Sequence, residues 1–286
     1  MTCIDPCKFK GLLFFILILI IGVCYGQFRK DHHPAGNASS YRITGMHTLS
    51  IHTRDTNTVV SIYRFLKEKL KLPVYYTPVT IGARKYAGIY AGNMVLEPCG
   101  PYENRHYATD EFRAIFFGVN LSVNDPLNYF DQLLNELNIS HQVNQGSIYI
   151  LDSLLSLENI FTALYEIGDK NKRDSLRNLL ASTSRSPGIQ YISEIEIGYQ
   201  GEENIRRWKE YLSPLEFEDD VCRVNDSLRI RFERDRINEV RSITFKVKSL
   251  NRARQYFEDN RVKFSDSVNL IRLDPDGVFG LTVLIE

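Results

Sequence analysis

Residues 70–100 read LKLPVYYTPVTIGARKYAGIYAGNMVLEPCG, and this stretch decides which fold the chain can form. A helix is predicted to end at its start, and short runs of β-branched and aromatic residues separated by glycines then predict three strands. The last of these strands carries one acid, Glu97. That acid is either a metal ligand or an ordinary polar residue, so the surrounding pattern has to decide.

The same order of elements occurs four times from Ile43 onward: a strand, an amphipathic helix and further strands. In the first copy Val59, Ile62, Leu66 and Leu70 recur on one helical face. The later helices are predicted within residues 124–138, 202–212 and 249–260. The chain is therefore predicted to be α+β, with four βαβββ-type units.

The middle of the chain separates two pairs of units. Residues 153–188 have helical spacing at first and then become charged and rich in serine, which predicts a helical connector. We therefore expect a first domain over 43–152 and a second domain over 189–286.

The N-terminal 1–28 segment has the character of an export signal. Lys8 and Lys10 precede an uncharged run, and its apolar core of roughly 13 residues is shorter than the ~20 that span a bilayer. We expect a cleaved signal peptide, with a membrane anchor as the alternative, followed by a flexible tether over 29–42. The protein is then exported, as a periplasmic, secreted or membrane-anchored chain that meets the membrane only through this segment.

Charge and cysteine content exclude some classes of partner and fold. Lys plus Arg and Asp plus Glu both number 35 and are mixed along the chain, so a nucleic-acid partner is not expected. Cys3, Cys7 and Cys24 belong to the export segment. Cys99 and Cys222 remain in the body, where two separate thiols are expected rather than a disulfide framework.

Four phrases together resemble the vicinal oxygen chelate superfamily, which includes glyoxalase I and extradiol dioxygenases. They are ITGMHTLSIHTRD (43–55), LKLPVY (70–75), AGNMVLEPCGP (91–101) and DPDGVFGLTVLIE (274–286). The resemblance covers about residues 43–286 and implies that paired units curl into cups, giving two glyoxalase-like domains. It also implies that active members hold a divalent metal ion in a cup, through residues on first and last strands.

Strand alternation gives the residues that face the first cup. Thr48, Ser50 and His52 are predicted to share that face. The resemblance places the first-strand ligand at Thr48, whose hydroxyl is a poor ligand for a divalent transition metal. His52 lies ~13 Å further along an extended strand. Glu97 matches the acid that binds metal in active relatives, so it is the leading metal candidate, with His52 as another.

The second unit adds no strong metal donor at the expected positions. Gly118 stands at the ligand position of its first strand, while Asn120 and Ser122 line the cup and Asn120 is a candidate to contact a ligand. The strand expected to close this unit, SIYIL at 147–151, contains no acid or histidine. A metal site in the first domain would keep Glu97 and little else.

The second cup is predicted to be more highly charged. Glu194 falls where active relatives often place a histidine, which makes it a third metal candidate. Glu196, Arg229, Arg231 and Lys246 are predicted to face the same cup and to meet an anionic small molecule. The alternative is that these groups pair with each other as a solvated lattice of salt bridges.

Two functions remain open from the sequence. The favoured one is an exported, metal-free module that binds a small organic or anionic ligand in a cup. The other is a divalent-metal-dependent lyase, isomerase or dioxygenase, with Glu97 as a ligand. No catalytic residue is identified.

Overall fold

The two halves of the chain each form an eight-stranded mixed sheet. These sheets belong to a computed structural model that describes residues 43–102, 116–123, 126–156, 160–166, 170–183, 186–213, 215–274, 278 and 280–286. The expected signal peptide or anchor and the tether over 29–42 lie outside the described residues. Among the described residues, no helix has the length and apolar character needed to cross a membrane.

The first sheet is built from two consecutive units. Its strands are β1 (Ile43–His52), β2 (Val74–Ile81), β3 (Arg84–Tyr90), β4 (Val95–Gly100), β5 (Phe116–Val123), β6 (His141–Asn144), β7 (Ser147–Ile150) and β8 (Ile160–Glu166). Their order across the sheet is β2-β3-β4-β1-β5-β8-β7-β6. The helices of these units are α1 (Thr56–Arg64), which continues into a π-helical turn (Phe65–Lys69), and α2 (Leu127–Glu136).

The second sheet repeats this plan after α3 (Lys170–Ser182). Its strands are β9 (Ile189–Tyr199), β10 (Glu216–Glu218), β11 (Val221–Asn225), β12 (Leu228–Arg234), β13 (Glu239–Val247), β14 (Phe264–Asp266), β15 (Ile271–Leu273) and β16 (Val283–Ile285), with helices α4 (Glu202–Tyr211) and α5 (Leu250–Asp259). The order is β10-β11-β12-β9-β13-β16-β15-β14. The predicted α+β class, with four βαβββ-type units in two paired domains, is confirmed.

Pairing at the centre of each sheet brings first and last strands together. β1 and β5 pair antiparallel, and each lies parallel to the last strand of its own unit, β4 or β8. β9 and β13 make the same pairs with β12 and β16. In each sheet, the side chains on the face of the four central strands that points away from the hydrophobic core therefore form the floor of a cup.

Helix α1 shows how the sequence fixes one unit. Asp55 caps it by accepting hydrogen bonds from the backbone of Asn57 and Thr58, both at 2.8 Å. Its apolar stripe joins Leu49 and Ile51 of β1 in the hydrophobic core, where both are fully buried. Burying Leu49 and Ile51 turns the alternate residues of β1 toward the cup, as the alternation predicts.

The prediction of a helical connector over 153–188 is wrong at 160–166. Those residues form β8, the last strand of the second unit, and among the described residues of this span α3 is the only helix. The strand 147–150, expected to close the unit, is instead β7, which pairs with β8. Phe161 and Thr162 favour extended backbone, and an apolar run this short does not by itself separate strand from helix.

The two domains are joined by contacts to backbone groups of Gln190 and Ile192. The Asn93 side chain donates to the carbonyl of Ile192 at 2.8 Å and accepts from its amide at 3.2 Å. Gly92, with a φ of 92°, approaches Gln190 so closely that a Cβ there would lie 2.0 Å from its carbonyl oxygen. A side chain at residue 92 would separate the domains.

Both cysteines of the body are unpaired and buried, as predicted. Burial raises the pKa of the Cys222 thiol to about 12 and raises the pKa of Cys99 as well. Neither thiol is therefore a ready nucleophile at neutral pH.

Candidate functional site

On the floor of the first cup, one residue from each of the four central strands lies in register with its neighbours, and these four residues define one level across the sheet. Ser50 on β1 is in register with Glu97 on β4 and with Gly118 on β5, and Gly118 is in register with Phe161 on β8. The side chains at this level are therefore a hydroxyl, a carboxylate and a phenyl ring, and the glycine contributes none.

This level lies two residues further along β1 than Thr48, the position at which the resemblance places the first-strand ligand. Ser50, not Thr48, is next to Glu97, and Thr48 instead contacts His47 Nδ1 at 2.7 Å. His52 is two residues from Ser50, ~7 Å along the strand, and its ring packs against Tyr102 with centroids 4.0 Å apart. The structure therefore brings neither Thr48 nor His52 to the level of Glu97.

Glu97 is held by hydroxyl groups. Its Oε2 accepts from the Tyr76 hydroxyl at 2.7 Å, and its Oε1 accepts from Ser50 Oγ at 3.5 Å. No ion pair to Glu97 occurs within the part of the chain that the structure describes. Burial raises the pKa of Glu97, and the hydrogen bonds from Tyr76 and Ser50 offset part of that rise. Room for the Tyr76 ring exists because residue 88 is glycine, where a Cβ would lie 2.4 Å from it.

Asn120 extends this hydrogen-bond network and leaves one acceptor unused. Its Nδ2 donates to Ser50 Oγ at 3.1 Å, while its Oδ1 is buried without a partner among the described residues. The residue is only 4% exposed and lines the cavity. A buried, unpaired carbonyl oxygen costs free energy until a donor reaches it, so Asn120 is suited to receive a hydrogen bond from a ligand.

The cavity above this floor holds about 390 Å³ and has largely aromatic walls. The rings come from β1, β3, β7 and β8 and from the segment that follows β4: His47, His52, Tyr86, Tyr102, Tyr149, Phe161 and Tyr165. Tyr149 packs on Phe161 with centroids 5.4 Å apart, and His47 stacks on Tyr165 at 5.1 Å. Sequence reasoning missed Phe161 and Tyr165 because it assigned their strand to a helix.

Among the described residues, the groups around Glu97 differ from the usual ligand set of a catalytic divalent metal ion. Such sites are usually built from at least three imidazole, carboxylate or thiolate groups. Over the described ranges, no group of three or more His, Cys, Asp or Glu residues is arranged to hold a metal. At the level of Glu97 the other positions offer only the Ser50 hydroxyl, because Gly118 and Phe161 have no donor.

In the second cup the Glu194 carboxylate forms ion pairs with two arginines. Arg229 Nε lies 2.9 Å from Glu194 Oε2, and Arg231 donates to both oxygens at 3.1 Å. This hydrogen bonding raises the pKa of Arg231. Thr244 and Leu284, in register beside Glu194, add no second acid. Glu194 is thus placed as an ion-pair acceptor and not in a cluster of metal ligands.

The remaining charged candidates of the second cup are also paired. Glu196 Oε1 lies 3.2 Å from Arg241 Nη1, and Lys246 Nζ lies 4.0 Å from Glu286. The open cleft in front of them holds about 1170 Å³, and acidic side chains outnumber basic ones among its lining residues. This arrangement corresponds to the salt-bridge lattice that the sequence left open, and its charge does not favour an anionic ligand.

Comparison with known proteins identifies solved structures that share this fold. No family model and no curated protein matches this sequence. Among solved structures, a substrate complex of homoprotocatechuate 2,3-dioxygenase from Brevibacterium fuscum is similar over 89% of this chain and 83% of that chain, at 12% identity and a TM-score of 0.53. The Mn(II)-bound glyoxalase from Novosphingobium aromaticivorans is similar over 86% and 82%, at 11% identity and a TM-score of 0.52. With its four units and two paired sheets, the chain has a vicinal oxygen chelate-like fold.

Proposed function

We propose that the first-domain cup binds a small organic molecule without a metal ion. The observation that carries this proposal is the set of groups at one level of the floor. Glu97 is satisfied by Tyr76 and Ser50, and the neighbouring positions are Gly118 and Phe161. A protein that kept a metal there would need donors where this chain has a hydrogen atom and a phenyl ring.

The cavity has the character of a site for a small organic molecule. Such sites are concave, mostly apolar and supplied with a few well-placed polar groups. Here the walls are aromatic, the volume is about 390 Å³, and Glu97 and Asn120 supply acceptors at the floor. The second cup lacks this character, because its charged groups already bind each other.

The proposal is tested on untagged protein purified without chelator. Elemental analysis is expected to find no stoichiometric manganese, iron or zinc. A screen of small organic compounds by ligand-observed NMR is expected to give binders whose signals are lost in Glu97→Ala but kept in Glu218→Ala, which removes an exposed glutamate from β10. One metal ion per chain that disappears in Glu97→Ala would overturn the proposal.

The alternative is a divalent-metal-dependent lyase, isomerase or dioxygenase. It is supported by the fold, since the glyoxalase from Novosphingobium is Mn(II)-bound, and by the retention of Glu97 on the last strand of the first unit. The elemental analysis separates the two functions. A metal-dependent protein would also gain thermal stability when Mn(II) is added, whereas a metal-free one would not.

We further propose that the chain is exported, through its N-terminal 1–28 segment. The support is the uncharged run after Lys8 and Lys10. Sequencing the N-terminus of the protein from a cell envelope or medium fraction tests this. A new N-terminus near Gln27 is expected for a cleaved signal peptide, and an intact one in the membrane fraction for an anchor. Recovery of the intact chain from the cytoplasm would contradict export.

A further inference from the structure

We propose that the ligand of the first cup is an organic ammonium ion, held by the aromatic walls and by Glu97. This inference rests on the proposed function and names the chemical class that the cup selects. It is carried by two independent features of the cavity: the faces of its rings, and a carboxylate that has no cationic partner among the described residues.

The rings supply the first feature. Aromatic faces carry partial negative charge and attract ammonium groups, most strongly where water is excluded. Tyr149, Phe161 and Tyr165 form one continuous wall, with Tyr149 edge-on to Tyr165 at a centroid distance of 6.3 Å. Tyr86 and Tyr102 stand on the other side of the cavity. A compact cation in the cup would lie among these rings.

The rim of the cavity already shows this attraction. The Arg84 guanidinium lies over the Tyr102 ring, 4.1 Å from its centroid. Arg84 is exposed and is in contact with this ring instead of pairing with Glu97. Arg173, another cation near the cup, donates from Nη2 to the backbone oxygen of His47 at 3.2 Å, and its Nε is buried without a partner among the described residues. Neither arginine pairs with Glu97 in the part of the chain that the structure describes, so the negative charge at the floor is open to a ligand.

Glu97 and Asn120 supply the second feature. Both offer acceptor oxygens: among the described residues, the Glu97 carboxylate is bound by hydroxyl groups, and Oδ1 of Asn120 has no partner. A cation would balance the carboxylate, which is otherwise costly to hold away from water. An anionic ligand would add a second negative charge beside Glu97, and a neutral one would leave the first unbalanced. The charge of the floor thus selects a cation.

Three probes of similar shape and different charge test whether the cup selects a cation. They are choline, the neutral isostere 3,3-dimethylbutan-1-ol, and the anion 3,3-dimethylbutanoate. Titration followed by NMR or calorimetry is expected to show choline binding about tenfold or more tightly than the alcohol, and no binding of the anion. Glu97→Gln is expected to remove most of this preference, and Tyr149→Leu to weaken choline binding. Tyr149→Phe, which keeps the ring, and Glu218→Gln, on the other domain, are expected to retain it.

The outcomes distinguish this inference from the proposed function. If the alcohol binds as tightly as choline, the ammonium ion is excluded while a metal-free organic site stands. If none of the three probes binds but the screen finds other organic binders dependent on Glu97, the inference again fails and the proposed function remains. If choline binds equally well to Glu97→Gln and to Tyr149→Leu, it binds elsewhere and the inference is overturned.

Discussion

Residue 97 combines a negative charge with partial burial and lacks a cationic partner among the described residues. Because burial raises its pKa, the folded protein holds the proton more tightly than the unfolded chain does. The stability that this proton contributes is fully present below the unfolded pKa, near 4.5, and is lost as the pH rises through the folded pKa. The acid therefore lowers the stability of the unliganded protein at neutral pH, which is expected of a group retained for binding.

Replacement of Glu97 by glutamine tests this cost directly. The amide keeps the shape and can bond Tyr76 and Ser50, but it carries no charge. We expect Glu97→Gln to have a higher Tm than the wild type at pH 8, with the difference shrinking toward zero near pH 4. Thermal unfolding followed by circular dichroism between these pH values measures it, and Glu218→Gln, an exposed site, should show no such trend. A wild type that is more stable than Glu97→Gln at pH 8 would show that the ionised acid stabilises the fold.

On the scale of single elements, β5 shows why a glycine is needed beside the floor. A Cβ at residue 118 would lie 2.9 Å from Ser50 Cβ and 3.3 Å from Asn120 Nδ2. Both neighbours are buried and held in place by the sheet, so neither can easily yield. Gly118 supplies no side-chain ligand for a metal ion, and its lack of a Cβ leaves room for the hydrogen bond between Asn120 and Ser50.

Gly118→Ala is accordingly expected to destabilise the protein by about 1–3 kcal/mol through overpacking. Urea unfolding followed by circular dichroism gives the change in the free energy of unfolding. The double variant Ser50→Gly with Gly118→Ala restores the space and should lose less than the sum of the two single variants. Strict additivity would show that the strain at residue 118 comes from somewhere other than Ser50.

The elements also show how far the sequence could lead. The helix of each of the four units, the first strand of each unit and the face that β1 presents followed from periodicity, as at Leu49 and Ile51. The level of the site did not, because Thr48 and Ser50 face the same side and alternation cannot say which of them is next to Glu97. Strand β8 was missed because a seven-residue apolar segment has no period that excludes a helix. Its pairing with β5 is a long-range contact that no local pattern contains.

On the scale of the whole molecule, the two domains share a topology and differ in what fills their cups. Between the first and last strands of the leading unit, Ser50 is in register with Glu97 in the first domain, whereas Glu194 is in register with Arg229 in the second. The first pairing lies in a cavity where no described cation pairs with the acid, and in the second the acid forms ion pairs with arginines. This difference supports the proposal that the first cup, and not the second, binds the ligand.

The domains are also held together by one partly buried arginine of α4. Arg207 donates to Asp152 from Nε at 2.9 Å and from Nη2 at 2.7 Å, and to the carbonyl of Leu137 at 3.0 Å. Asp152 and Leu137 belong to the first domain and Arg207 to the second. The side chains of Arg207 and Asp152 are only 15% and 10% exposed, so this pair is screened little by water.

Loss of Arg207 should therefore weaken the whole molecule and not only α4. Truncation leaves Asp152 and the Leu137 carbonyl without their donor, and we expect Arg207→Ala to lower the free energy of unfolding by about 3 kcal/mol. Its neighbour Arg206 is 64% exposed and pairs only within α4, so Arg206→Ala should cost about 0.5 kcal/mol or less. Urea unfolding of both variants makes the comparison. Equal losses would mean that the arginine contributes through helix α4 alone, and that the domains are joined chiefly by other contacts, such as those of the Asn93 side chain with the backbone of Ile192.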